Sequence, residues 1–177
     1  MMRLERITEK KHPKYEDAMA LYQISFPKHE QRESLSQQKI MEDSFYHFCL
    51  IFNEEEIFSG TVLFWKTEDF IYIEHFCVCP EMRNKQIGQK VLALLSERNK
   101  TMILEIDPPI DEISKRRKGF YERCGFKENP YNHVHPPYHQ GNKGHELVIM
   151  TNPEKISSEA YNRFNCFLND RIMAEVF

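Results

Sequence analysis

The sequence predicts an α+β fold, a mixed α/β chain with one central sheet flanked by helices. Three observations predict it. Short apolar-rich runs, separated by brief polar turns, fill the middle of the chain. Apolar stripes at helical spacing lie before, between and after those runs. The chain has 177 residues, 41% of them apolar, enough for one sizeable core.

The elements follow in order. Tyr15, Ala18, Met19, Tyr22 and Phe26 recur at helical spacing, and Pro27 stops that helix. Ser34 with Gln37 reads as a capping box opening a second helix through about Glu42. Three strands come next: Phe45–Phe52, Ile57–Lys66 and Phe70–Cys79. Their connections, Asn53 to Glu56 and Thr67 to Asp69, are short and polar, as antiparallel hairpins require. A helix runs from Gly88 to about Asn99, with Ile87, Val91, Leu94 and Leu95 on one side, and Met102–Ile106 is the next strand. Another helix opens at Asp111 and Glu112 and closes at Gly125. A strand from Phe126, a loop rich in Pro and His, and a strand over Glu146–Thr151 follow. Ile156, Tyr161, Phe164, Phe167, Leu168 and Ile172 give a terminal amphipathic helix. Residues 1–152 are expected to form the domain, with 153–177 a helix packed on it.

Composition narrows the function classes. A net charge of −3 argues against nucleic acid as the main partner. No apolar stretch has the length of a membrane helix, and the start, Met1 to Arg6, is too charged for a secretory signal. Five cysteines without a Cys-x-x-Cys pair point to a reducing cytoplasmic compartment.

The junction from Val78 to Leu92 carries the most chemistry. An apolar run ends at Pro80, a basic turn follows, and Gly88 opens an amphipathic helix. The backbone N–H groups of residues 84 to 89 have no partners within such a helix end, which carries partial positive charge. Arg83 and Lys85 add formal charge, so a phosphate or pyrophosphate fits here. The turn is neither a P-loop nor a Rossmann fingerprint. A second segment, Phe120-Tyr121-Glu122-Arg123-Cys124-Gly125-Phe126, sits on the later helix, with Tyr121 beside its apolar stripe.

Together these segments resemble the GNAT superfamily of acyl-CoA-dependent N-acyltransferases. The family's pattern is Val-x-Pro, then Gln/Arg-x-x-Gly-x-Gly/Ala opening a helix, then Phe-Tyr-x-x-x-Gly-Phe. Here it reads as Val78-Cys79-Pro80, Arg83 to Gly88, and Phe120 to Phe126. The first turn glycine is replaced by Gln86, whose Cβ is expected to shift or weaken the pyrophosphate contact. The resemblance implies a central, mostly antiparallel sheet of about six to seven strands. Within it, Ile71–Cys79 and Met102–Ile106 would run parallel and splay apart. It further implies acetyl-CoA as acyl donor, bound by Cys77, Val78, Arg83, Asn84, Lys85, Gln86, Ile87, Gly88 and Gln89. A primary amine would then attack the thioester directly in a ternary complex. A non-catalytic acyl-CoA-binding or interaction domain is the alternative.

Two proton transfers need carriers. Tyr121 matches the family's tyrosine and is the expected acid for the CoA thiolate, since a phenol titrates near about 10. Packing and hydrogen bonding to the sulfur alone is its other reading. For the base, Glu74 stands first: strand alternation puts it with Tyr72, Phe76 and Val78 beside an apolar cleft, where its pKa would rise. His75 on the opposite face, Glu105, and a water chain are the other candidates.

His133, His135, His139 and His145 tempt a metal reading, because His-x-His on a strand turns both rings to one side. The Pro/Gly content there reads instead as a loop, either lining the substrate site or simply on the surface, and no nearby carboxylate or cysteine completes a ligand set, so no metal is expected. Glu30, Glu33 and Glu68 would attract a cationic acceptor. Small amines, amino acids, aminoglycosides and protein amines all fit, as does a homodimeric assembly.

Overall fold

Antiparallel hairpins build the first half of the sheet in this computed structural model, which describes residues 1–177. Strands β1 (Arg3–Ile7), β2 (Tyr46–Phe52), β3 (Phe58–Lys66) and β4 (Phe70–Val78) pair in sequence order. The chain then crosses over through helix α3 (Ile87–Ser96), numbered after α1 (Tyr15–Ser25) and α2 (Ser34–Ile40), and returns as β5 (Thr101–Ile106), parallel to β4. Helix α4 (Glu112–Arg123) leads to β6 (Lys127–Glu128), β7 (His133–His135) and β8 (His145–Asn152). The order is β1-β2-β3-β4-β5-β8-β6, with β7 also on β8; every pairing except β4–β5 is antiparallel.

Each face of the sheet has its own core. On one, α3 buries Ile87, Val91, Leu92 and Leu95 against Val62, Phe64, Ile71 and Leu104. On the other, Tyr15, Ala18 and Tyr22 of α1 join Phe48, Leu63, Trp65 and Tyr72. Helix α5 (Ser158–Phe167) and the π-turn Leu168–Ile172 close that second face with Phe164, Leu168 and Ile172, all fully buried. The terminal helix is therefore shorter than residues 153–177, and beyond the π-turn the tail from Met173 to Val176 packs without helical structure.

Local signals explain several boundaries. Phe26 is extended (φ −122°, ψ 139°), as the residue before Pro27 must be, and α1 ends there. Asp111 caps α4 in a reciprocal bond with Ser114, and Gly125 closes the helix at φ +89°. The capping box expected at Ser34 and Gln37 does not form. Gln37 is buried and donates to the Tyr46 hydroxyl at 2.9 Å, while the cap position is Glu33.

Two strands lie outside the sequence-based expectation. β1 carries only Leu4 and Ile7 as apolar residues, and its partner β2 imposes the extended form. His133–His135, expected within a loop, is a strand on β8, with both imidazoles turned inward and Val134 outward.

Candidate active site

The parallel pair β4–β5 holds together only from Phe70 to Ile73, opposite Thr101 to Leu104. Beyond that the strands part. Glu74 to Val78 have no partner on the β5 side, and Glu105 and Ile106 pair only with β8. A cavity of about 470 Å³ occupies the opening. Its walls include the end of α1 and the turn Lys28–Glu30, β4, the end of β5, Arg83, Tyr121 and the loop around Pro136–His145.

At its β4 wall the strand register skips a residue: Leu63 faces His75 and Phe64 faces Ile73, leaving Glu74 as a bulge. The expected alternation, with Glu74 and His75 on opposite faces, is thereby broken. Both meet Tyr138, whose hydroxyl donates to Glu74 at 2.9 Å and whose ring centroid lies 5.7 Å from that of His75.

Glu74 does not have the raised pKa expected of a general base. Its carboxylate accepts from Arg32 Nη2 at 2.8 Å, Trp65 Nε1 at 2.8 Å and the Tyr138 hydroxyl. Burial alone would raise its pKa. The Arg32 charge, then His75 and the Trp65 bond, outweigh burial and bring it down to about 2. Arg32 is equally buried and also donates to Ser36 Oγ at 3.1 Å and to the Ile172 carbonyl at 3.1 Å. Glu74 is thus a buried anionic anchor bonded to three donors, the opposite of the raised-pKa carboxyl expected there.

His75 is different. Its Nε2 donates to the Glu30 carbonyl at 2.8 Å, which leaves Nδ1 unprotonated, buried and without a partner. Burial holds its pKa below the ordinary 6.5, although the neighbouring Glu74 charge acts in the other direction. An orphaned acceptor in a cavity wall is a place where a ligand or water proton is accepted. Glu105, the third base candidate, is committed elsewhere. Tyr72 and His133 both bond its carboxylate, and His135 Nε2 stands 4.0 Å away. Burial would raise its pKa, but His135 and His133 lower it. The inward histidines of β7 thus hold this carboxylate, with Tyr161 on His133 Nδ1 at 2.8 Å, instead of forming the chelate that His-x-His suggests.

Across the cavity, Tyr121 has its phenol pushed up to about 12, chiefly by burial. It therefore stays protonated at neutral pH and can donate.

The basic turn lies at the same opening. Arg83 lines the cavity, and residues 83 to 86 are exposed. The first helical backbone bond at the start of α3 is Lys90 N–H to Gln86 O, at 3.0 Å. The N–H groups of residues 84 to 89 consequently have no backbone acceptor. Gln86 has φ +60°, the left-handed conformation usually given to glycine, and Asn84 has φ +63°. The turn keeps its shape despite the missing glycine, and the cost falls on the backbone. Gly88 has a second use: a Cβ there would lie 3.0 Å from Phe120 Cζ, so its bareness lets α3 pack against α4. Cys77 and Cys79 are buried free thiols, with Cys77 Sγ 3.2 Å from Thr61 Oγ1.

Comparison with known proteins agrees with this geometry. The acetyltransferase (GNAT) domain model matches residues 44–128. The chain is 30% identical over 80 residues to "Putative acetyltransferase YjbC" of Bacillus subtilis, a match spanning 44% of this chain and 41% of that protein. It superposes on a GNAT-family structure from Bacteroides thetaiotaomicron with a TM-score of 0.88 at 27% identity, covering 96% of this chain and 97% of that one. A Bacillus subtilis acetyltransferase solved in complex with CoA shares the fold, with a TM-score of 0.56 at 14% identity over 85% of this chain and 97% of that one.

The Glu74 anchor sets the acid behaviour. A carboxyl held at about 2 against an ordinary 4.5 contributes stability fully above pH 4.5 and loses it as pH falls toward 2. The depressed His75 pKa acts in the same direction below pH 6.5. Denaturant melts should show stability falling from pH 6.5 to 3. Arg32→Ala, which strands the buried carboxylate, should cost about 3–5 kcal/mol at pH 7. For the turn, introducing glycine usually costs about 0.5–1 kcal/mol. Gln86→Gly should instead leave the thermal midpoint unchanged or raise it, because the left-handed strain is relieved.

Proposed function

We propose that the chain, whose residues 44–128 match the acetyltransferase (GNAT) domain model, transfers an acetyl group from acetyl-CoA directly to a primary amine in a ternary complex. The observation that supports this most is the opening between β4 and β5. Unpaired backbone donors and Arg83 stand at one side of it and a protonated Tyr121 at another. The pyrophosphate would rest on the N–H groups of residues 84 to 89, with Arg83 and Lys85 beside it. The pantetheine would lie along Cys77 and Val78, whose β5-side edge is free.

The amine nitrogen attacks the thioester carbonyl carbon. The C–N bond forms, the C–S bond breaks, and Tyr121 gives its proton to the departing sulfur. His75 Nδ1, the orphaned acceptor, takes the proton that the amine loses, and the adjacent Glu74 charge stabilises the resulting imidazolium. Glu74 acts through position: with Arg32 it fixes the bulge that brings His75 to the cavity. The five free cysteines suit a reducing cytoplasm, and no helix is long and apolar enough to cross a membrane.

Release of free thiol from acetyl-CoA, followed across a panel of polyamines, amino acids, aminoglycosides and peptides, tests this reading. Turnover is expected with at least one amine, lowered roughly 100-fold by Tyr121→Phe and by His75→Gln, with the acid limb of the pH profile altered in the latter. The strained Gln86 turn favours a second reading, a non-catalytic acyl-CoA-binding domain. Binding without turnover across the panel would select it.

A further inference from the structure

One cluster at the rim of the cavity takes no part in the acyl transfer proposed above. Residues that sequence separates by more than a hundred positions meet there: His29 and Glu30 on the turn after α1, and His145 at the start of β8. One donor atom from each lies within 4.8 Å of the other two. His29 Nε2 is 3.7 Å from Glu30 Oε1, and the two imidazole centroids are 5.6 Å apart.

We propose that His29, Glu30 and His145 form a binding site for a divalent transition-metal ion of the zinc type, with its remaining coordination position turned toward the cavity. Two imidazoles and one carboxylate form a donor set suited to such ions, and three protein ligands leave room for water or a ligand's donor atom. Tetrahedral nitrogen and oxygen ligands about 2.0–2.1 Å from zinc stand roughly 3.3 Å apart. The widest separation therefore has to close by up to about 1.5 Å, and the exposed His29 side chain has the freedom to do so.

Three further features support a cation there. First, Asp107 Oδ1 lies 3.3 Å from His145 Nε2, a carboxylate able to orient this imidazole for ligation through Nδ1. Second, the local charge is in deficit. Glu30 and Asp107 bring two carboxylates to the cluster, and Arg117 Nη1, 3.1 Å from Asp107 Oδ2, pairs with only one of them. A divalent ion would supply the missing charge. Third, the scaffold is already braced. Glu30 N–H bonds Pro27 O at 2.9 Å, and Gln31 Nε2 bonds Phe26 O at 2.7 Å. His139 Nε2 donates to Lys28 O at 2.8 Å, which ties the Pro/His loop to the same turn. The histidines that suggested a metal in sequence were grouped by adjacency. Of them only His145 belongs to this set, and its partners come from the other end of the chain.

The test is calorimetric titration of chelator-treated protein with Zn²⁺, repeated with His29→Ala, Glu30→Gln and His145→Ala, and with Cys166→Ser and His12→Ala as controls. Circular dichroism confirms that each variant is folded, and Co²⁺ in place of zinc gives an optical readout independent of heat. The expected result is one ion per chain at micromolar affinity or tighter. Each of the three site substitutions should weaken it by about tenfold or more, and the controls should not. Absence of zinc binding would overturn the site. So would binding that survives all three substitutions or is lost on removal of Cys166 or His12. Because the readout is metal binding, failure here leaves the acyl-transfer reading standing, and loss of acyl transfer leaves this one standing.

Discussion

A single buried ion pair organises the working half of this molecule. Arg32 and Glu74 meet at 2.8 Å with both side chains essentially out of water. Such a pair persists when its other donors and acceptors find partners; the structure gathers these from far apart in the chain and leaves Arg32 Nε without one. Trp65 comes from β3, Tyr138 from the loop before β8, Ser36 from α2 and the Ile172 carbonyl from the C-terminal tail. The pair therefore fixes at once where the α1–α2 connection lies, where the loop over the cavity lies and where the tail ends. It also accommodates the bulge at Glu74, and that bulge presents His75 to the cavity.

The site is built from places where regular structure stops. β4 and β5 begin as neighbours and then diverge, so one edge of β4 is left without a partner. Helix α3 begins with a turn whose N–H groups have no acceptor, and two non-glycine residues hold left-handed angles to shape it. Strain and unsatisfied polar groups persist where the surrounding packing over-determines them, and they gather at functional sites. Here the sheet and both cores supply that packing, and the free edge of β4 with His75 opens onto the cavity that Arg83 borders.

How much of this was legible in the sequence depends on the distance over which each feature is decided. The hairpins from β2 to β4 were legible because their turns and alternation are local. So was α4, whose two caps, Asp111 and Gly125, lie within its own segment. Tyr121 and the basic turn could be placed because two short motifs carry them. Strand β1 was missed, since two apolar residues give no periodicity and pairing with β2 creates it. β7 reads as loop in the sequence because the carboxylate its histidines hold, Glu105, is 28 positions away and was itself one of several candidate bases. The error at Glu74 has the same origin. Alternation and an apolar cleft argued for a raised pKa, but a guanidinium 42 positions earlier reverses the sign. No local pattern marks Arg32 for burial, and a Tyr-rich, Trp-containing core able to satisfy it was the one available hint.

Everything proposed for activity rests on acyl-CoA entering the gap beside β4 with its pyrophosphate on the turn at the head of α3. Calorimetric titration with acetyl-CoA, on the intact chain and on the Arg83→Ala, Lys85→Ala double variant, measures that directly. The account predicts one site per chain with micromolar affinity, weakened at least about tenfold in the variant because two phosphate-facing charges are gone. No heat at millimolar acetyl-CoA, or an affinity indifferent to the two substitutions, would contradict it.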